Sequence, residues 1–580
     1  MKIDRSSRYI LLLILATLAV NFFVLKGGFI SGLDESNVSR NTSLTLPLPA
    51  YIESKLGSAL SERSSLIVEV SFWAEYHCFE RNSLASHATN LFLHLISTMM
   101  VFYLVRFWSK GDGIAFVVAL FFGIHPLQVE PVAWISQRGF LFAGAFLFAS
   151  LLSFLKWREN KRNIFYILSL FFYLLSLLSS FFGIFLPMLL FLFPLSEKIV
   201  AKKKYFLSLL PFILMSLLFC YPLVRPCFDA WKNDFSWYNI SFALLHYLFQ
   251  AIVPYHLSNV YPFIPFNKGI PPIKDVVAVT VLSAMLIVGL KYFDWLTPRL
   301  SGMVFFLTAI LPALFLSRID GEAAGDRYMY IPLAGILYFV VQIFSDGLYS
   351  YQIPERIKPA VVFILFSIFS AITVSRIPVW TNGVTLWTNT IQQYLTLPLA
   401  YRERSRAYLS DAKFNLALSD ADKALDLDAE SPEGYFTRGL VYAVIDPTNA
   451  VSDFSKVIGA DPLRYEAYFQ RGMAENGIRR PAEALSDFSF LIARNENRAL
   501  ALANRGISYM QLGRYPEAIS DYNAAVVADP ALVNAYTNIA ITYFLAHDTL
   551  NARAELVVAK KKGASVSDQI SDIITGKGIH

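Results

Sequence analysis

The sequence predicts an all-helical protein in two parts, a polytopic membrane helix bundle followed by an α-solenoid, and three observations carry that expectation. Hydrophobic residues make up 55% of the 580-residue chain and charged residues only 16%, with 49 Phe and 30 Tyr. A soluble domain carries about 25% charge, so this balance belongs to a chain whose solvent is largely lipid. The apolar weight lies before residue 380, in runs that approach the ~20 residues a bilayer crossing needs. From about residue 400, Ala, Asp, Glu, Arg and Lys take over, and particular residues return at a fixed period, the signature of a solenoid.

The first apolar span covers 9–26, behind Lys2 and Arg5, with no small-residue cleavage site after it, so it reads as an uncleaved helix. Further spans fall near 89–107, 112–126, 138–156, 163–180, 181–196, 205–223, 274–292, 299–317, 328–345 and 357–376, about eleven in all. Between them, Arg106 and Lys110, Lys156 to Arg162, Lys198 to Lys204, Lys291 and Arg299, and Arg356 and Lys358 make alternate short loops basic. Basic short loops mark the cytoplasmic side. The N-terminus is therefore expected inside, and an odd number of spans delivers the C-terminal part to the far face. The formal charge of +6 follows from these loops, a topology signal rather than a nucleic-acid surface. Cys78, Cys220 and Cys227 have neither zinc spacing nor the makings of a disulfide framework. The expected plan is a membrane domain over 1–380 with an outer loop at 27–88, a connector at 381–396 and a repeat domain over 397–580. The stretch 241–256, apolar but broken by His246, Pro254 and His256, suits a helix that lies in the membrane interface or dips into it.

Beyond the membrane part, Arg404-Ser405, Arg438-Gly439, Arg471-Gly472 and Arg505-Gly506 recur every 33 or 34 residues. Ser419-Asp420, Ser452-Asp453, Ser486-Asp487 and Ser520-Asp521 keep the same period, as do Ala417, Ala450, Ala484 and Ala518. This resembles the tetratricopeptide repeat, in four units and a degenerate fifth over 533–562. Stacked helix pairs of that kind form a superhelix with a groove sized for a peptide, so a protein or peptide partner is expected there.

Candidate chemistry gathers on the outer side. His125 to Arg138 is a polar, proline-broken segment between two apolar runs, and ionisable groups at a membrane edge are a functional hypothesis by default. Asp34-Glu35 follow the first span directly; adjacent carboxylates there can act as a general base towards a hydroxyl or hold a divalent cation. The same face receives Glu130 and the Asp326-Arg327-Tyr328 group. A guanidinium grips phosphate through two parallel hydrogen bonds, which makes Arg138 and Arg327 candidates for an anionic ligand arriving from the bilayer.

Taken together, His125-Pro126, Glu130, Val132-Ala133-Trp134-Ile135, Arg138, the upstream Asn90 and His94, Asp326 to Pro332, Val379-Trp380 and Leu386-Trp387 resemble the bacterial relatives of the transmembrane-and-TPR protein O-mannosyltransferases. The resemblance implies a C-type glycosyltransferase fold, a polyprenyl-phosphate sugar as donor and a protein hydroxyl as acceptor. It implies a catalytic carboxylate after the first helix, here Asp34 or Glu35, with Arg138 and Arg327 on the donor phosphate. His125, Glu130, Asp326 and His94 would shape the site. It implies residence in the bacterial inner membrane with the repeats outside the cytoplasm. Two departures stand out: Arg138-Gly139-Phe140 replaces an Arg-Lys-Asp run, and a Lys is absent near Ser180. Such losses fit a diverged or inactive copy, and they leave open a second expectation, a non-catalytic membrane-anchored scaffold for envelope protein assembly.

Overall fold

The computed structural model describes residues 5–31, 33–34, 38–39, 41–61, 65–196, 203–220, 237–262, 276–283, 299–316, 322–352, 354, 356–564 and 566–575. Two compact units divide at Leu395/Thr396. Both are helical, and in the first a short antiparallel pairing joins Tyr261–Pro262 to Glu322–Ala324.

In the first unit, Ser6–Lys26, Ser83–Ser109, Ile135–Asn160, Leu333–Ser350 and Ile357–Trp380 are long and apolar enough to cross a bilayer. A sixth candidate is the pair Asp112–Ile124 and Pro126–Ala133, bent by 50°. The bend has a local cause. A residue before proline is driven out of the helical region, and His125 stands there extended, at φ −67° and ψ 135°. Eleven full-length crossings are thus not found among the described residues. Apolar composition was expected to translate into span length, but breaks intervene: Asn163–Ser179, Phe181–Leu192, Tyr205–Cys220, Ile240–Ile252 and Leu300–Leu314 are helices of 10–17 residues. At 1.5 Å per residue these reach about 15–25 Å, short of a ~30 Å hydrocarbon core. Most of the stretch 274–292 lies outside the described residues.

Small residues let the long helices close on one another, as they do where no hydrophobic drive separates helix from lipid. A Cβ on Gly302 would stand 2.6 Å from the Gly335 carbonyl, and one on Gly335 would stand 2.5 Å from that of Gly302. The Arg299–Leu316 and Leu333–Ser350 helices cross at this pair. The loop expected over 27–88 contains two helices, Leu48–Ser61 and Leu66–Phe79, packed with Val38, Leu44 and Ile135 around Tyr51, Val68 and Phe72.

The second unit is five helix pairs and a terminal helix: Pro398–Ser410 with Phe414–Leu427, Pro432–Ile445 with Pro447–Ala460, Tyr465–Gly477 with Pro481–Ala493, Arg498–Gln511 with Tyr515–Ala528, and Val533–Leu545 with Thr549–Lys561, then Asp568–Thr575. The periodic residues make the contacts. Ala417, Ala450, Ala484 and Ala518 are fully buried where the two helices of each pair meet. A Cβ on Gly439, Gly472 or Gly506 would strike the ring of Phe454, Phe488 or Tyr522 at 2.8–2.9 Å. In the first pair Ser405 replaces the glycine, and Ala421 replaces the ring, so the volume is exchanged across the contact. Each of the first four pairs then carries the same clamp: Arg404 on Asp420, Arg438 on Asp453, Arg471 on Asp487 and Arg505 on Asp521, all two-pronged at 2.7–3.0 Å.

Candidate functional site

The polar segment from His125 to Arg138 is the hub to which the other candidate residues attach. It is a chain of short helical turns, Pro126–Gln128, Val129–Ala133 and Ile135–Gln137, almost wholly buried. Buried turns expose backbone groups that must be satisfied, and side chains from distant segments do that here. Asn90 donates to the carbonyls of Val132 (3.3 Å) and Trp134 (3.4 Å).

Asp34 closes one side. Its Oδ2 accepts from the Ile30 N–H at 2.8 Å, and its Oδ1 accepts from both the backbone N–H (3.0 Å) and the hydroxyl (2.5 Å) of Ser136. Burial holds this carboxyl above the usual carboxylate range, while the Ser136 and Ile30 donors pull it back. Asp34 therefore staples the turn after the first helix to the hub. Glu35 lies outside the described residues.

Arg138 closes the next side, and its guanidinium faces protein rather than a cavity. Nε donates to Asn90 Oδ1 (2.8 Å), Nη1 to the Ser71 hydroxyl (3.1 Å), and Nη2 to Glu75 (2.9 Å) and to the Ser86 carbonyl (3.1 Å); the Phe72 ring covers it at 4.4 Å. Four of its five N–H donors are thus committed and the residue is fully buried. Placed this way, Arg138 has no open fork for the donor phosphate expected of it.

Arg327 occupies the opposite side. It donates to Glu130 Oε1 at 2.9 Å from Nη1 and to Oε2 at 3.2 Å from its own backbone N–H, and it reaches the Tyr328 hydroxyl at 3.2 Å. Asp326 accepts from the Tyr261 hydroxyl at 2.7 Å. Burial holds the Asp326 carboxyl above its ordinary value, with Arg376 the largest opposing influence. The Trp134 ring lies under Arg327 (5.7 Å) and stacks on Trp380 (5.9 Å).

The two histidines are fixed by their partners. His125 Nδ1 accepts from the Leu127 N–H (3.2 Å), which leaves Nε2–H to donate to the Ala251 carbonyl (3.2 Å). His94 pairs through Nε2 with the Gly123 carbonyl (3.1 Å) and through Nδ1 with the Tyr330 hydroxyl (3.2 Å). A carbonyl can only accept, so Nε2 of His94 carries the proton and Tyr330 donates. Both are neutral packing groups. Asp34, Glu130, Arg138, Arg327, Asp326, His125 and His94 all gather on or around one segment, yet none of the seven lines an open cavity described here.

A cavity of about 370 Å³ does lie beside the hub, lined by Phe23, Val24, Lys26, Gly27, His87, Ala133, Val374, Ile377, Pro378, Trp380 and Thr381. Its walls are apolar apart from Lys26, Thr381 and the buried His87, whose Nε2 pairs with the Gly28 carbonyl at 3.4 Å. Among the described residues, no three carboxylate, imidazole or thiol groups gather to hold a cation.

Sequence reasoning missed Glu75, Ser71, Tyr261 and Arg376, which lie in stretches with no pattern to mark them. It also missed His87, for which a signal existed: His87, Asn90, His94, Ser97 and Thr98 recur at helical spacing on the otherwise apolar Ser83–Ser109 helix and are all buried.

The family described as TPR repeat matches residues 506–546. The chain is 21% identical over 321 residues, 52% of its own length, to Protein O-mannosyl-transferase F38B6.6 of Caenorhabditis elegans, and 28% identical over 102 residues, 17% of its length, to serine/threonine-protein phosphatase T of Aspergillus oryzae. These alignments span 45% and 21% of the relatives. Among solved structures it is similar to YrrB, a TPR protein with an unusual peptide-binding site (23% identity, TM-score 0.28, 33% of this chain and 98% of that one), and to a tetratricopeptide repeat protein from Parabacteroides merdae (19%, 0.30, 33% and 78%). The C-terminal unit is a tetratricopeptide repeat array, and the chain is distantly similar to an O-mannosyltransferase.

Proposed function

We propose that this chain is a bacterial inner-membrane protein that transfers a sugar from a polyprenyl-phosphate donor to a hydroxyl of a protein held by its repeats, on the extracytoplasmic face. The carrying observation is the cavity of about 370 Å³ built from the end of the first apolar helix, where Lys26 is the one charged lining group among apolar walls. An isoprenoid suits Phe23, Val24, Ile377 and Pro378, and its phosphate suits the ammonium of Lys26. Asp34 follows in the turn after the first helix, and a carboxyl raised by burial is the better base for a hydroxyl. In the step itself the base takes the acceptor proton, the acceptor oxygen bonds to the anomeric carbon, and polyprenyl phosphate leaves with the electrons of the broken C–O bond. The distant likeness to an O-mannosyltransferase over 321 residues supports the same chemistry. The basic short loops support a cytoplasmic N-terminus.

Radiolabelled polyprenyl-phosphate sugars and the purified chain in lipid test this. Asp34→Asn is expected to abolish transfer while Lys26→Ala weakens donor binding. If wild type neither binds nor transfers any such donor, or if Asp34→Ala combined with Glu35→Ala transfers at the wild-type rate, the reading is wrong. The closed shells around Asp34 and Arg138 favour one rival, a membrane-anchored scaffold. On that reading the full-length Asp34→Asn chain keeps every repeat-bound envelope partner and loses no cellular function.

A further inference from the structure

The Trp237–Ile252 helix has a role that the transfer reading does not use. It packs on the Arg299–Leu316 and Leu333–Ser350 helices and turns Tyr247 and Ala251 inward, while Phe249, Ile252 and Val253, at i, i+3 and i+4, stand about half exposed on one face. Tyr255 and His256 stand exposed at the tip beyond them. No Asp, Glu, Lys or Arg occurs from 237 to 267.

Three further observations say what covers that face. First, protein groups take up backbone groups at the helix end. The last carbonyls of a helix have no partner within it, and here the Phe249 carbonyl accepts from the Val253 N–H (2.8 Å) while the Ala251 carbonyl accepts from His125 Nε2–H (3.2 Å). The amide of Gln250, itself buried, donates to the Tyr255 carbonyl (2.7 Å) and accepts from the Tyr255 N–H (2.9 Å), so one side chain satisfies both backbone groups of the turn. Irregular backbone is tolerated at membrane depth only when it is satisfied in this way. Second, depth follows from His125. The Asp112–Ile124 helix is 13 residues long and begins at the Arg106–Asp112 ion pair (2.8 Å). It therefore rises about 20 Å, so its His125 end, and Ala251 with it, stays within a hydrocarbon core of about 30 Å. Third, the exposed groups grade from Phe249, Ile252 and Val253 to Tyr255 and His256, apolar body to polar tip, as suits the boundary between acyl chains and headgroups.

We infer that residues 249–256 form a lipid-inserted wedge whose partner is the acyl chains of the far leaflet, with Tyr255 and His256 at headgroup level. This rests on the first unit lying in a bilayer but not on any catalytic activity. The test is a nitroxide scan of the full chain in phosphatidylethanolamine/phosphatidylglycerol nanodiscs, on a Cys78→Ser, Cys220→Ser, Cys227→Ser background. Labels are placed at F249C, I252C and H256C, with F363C on the exposed face of the Ile357–Arg376 helix as membrane control and V527C as aqueous control. The wedge predicts that F249C and I252C, like F363C, favour oxygen over a water-soluble nickel complex several-fold, and that H256C falls between F363C and V527C. Nickel access at F249C and I252C with a lipid-like F363C overturns the wedge alone, as does silence to both probes, which means another protein segment covers the face. Nickel access at F363C overturns the bilayer reading and the wedge with it.

Discussion

The two units use arginine in opposite ways. In the repeat array four arginines sit one period apart, each gripping a single aspartate of its own pair with two prongs and each partly exposed, at 18–22% of the side chain. From the second pair onward the remaining Nη1 reaches back to the preceding pair: Arg438 to Asp422, Arg471 to Ser455 and Arg505 to Ser489, at 3.0–3.1 Å. In the first unit, Arg138 is fully buried and divides its donors among Asn90, Ser71, Glu75 and Ser86, drawn from two helices. A repeated clamp can lose one copy and keep its neighbours. A solitary buried network cannot, because removing the cation leaves a largely buried acid, Glu75, with only the Ser86 hydroxyl (2.7 Å) to offset its charge.

That contrast sets the order of effects. Arg138→Ala strands Glu75 and is expected to cost about 3–5 kcal/mol, the range for breaking a buried pair. Arg138→Lys should recover only part, since an ammonium cannot reproduce the fork. Thermal unfolding of the full chain in nanodiscs reads this directly, and an unshifted first-unit transition in Arg138→Ala would remove the distinction between the units. Arg471→Ala should cost less, about 1.5–3 kcal/mol for hydrogen bonds to a charged group. The loss should stay local, because each repeat touches only its neighbours. Hydrogen exchange is expected to rise in the helices from 447 to 511 and to leave Pro398–Ser410 and Thr549–Lys561 as they are; exchange rising throughout the array would show the clamps to be one cooperative network.

The same contrast explains what the sequence made legible. Repeat architecture reads easily because Gly439, Gly472 and Gly506 must face Phe454, Phe488 and Tyr522, and a contact that recurs in space recurs in the chain. The fifth pair keeps the packing, with Ala540 and Leu556 in those places, but Ile539 stands where the clamp arginine would be, so its degeneracy shows as well. Asp34, Glu130 and Arg327 stood out as charges beside apolar runs, and they meet at the hub. Their partners did not stand out. Glu75 and Ser71 lie on Leu66–Phe79, a helix without an apolar side to orient it, and Ser136 is one hydroxyl in a polar turn. Span number failed for a related reason. Composition counts apolar residues, while the length of a helix depends on where His125 before Pro126, or the extended Ser180, ends it.

One acid in the repeat array behaves as if it belonged to the other unit. Glu475 lies one helical turn beyond Arg471, whose donors are already committed to Asp487 and Ser455, and its buried Oε2 has no hydrogen-bond partner. Burial first, and then the nearby Asp487 charge, push its carboxyl up from 4.5 to about 7. The sign of the consequence follows from proton counting. Between those two values the folded chain holds a proton that the unfolded chain has released, so stability is full below pH 4.5 and declines as pH rises towards 7. Glu475→Gln keeps the neutral form at every pH. It is expected to match wild type at pH 5 and to unfold at a higher temperature at pH 8, by less than the shift produced by Arg471→Ala. Repeat-unit melting of both chains at the two pH values checks it: parallel pH profiles would mean that Glu475 is solvated after all, and that the repeats contain only shared, replaceable ion pairs.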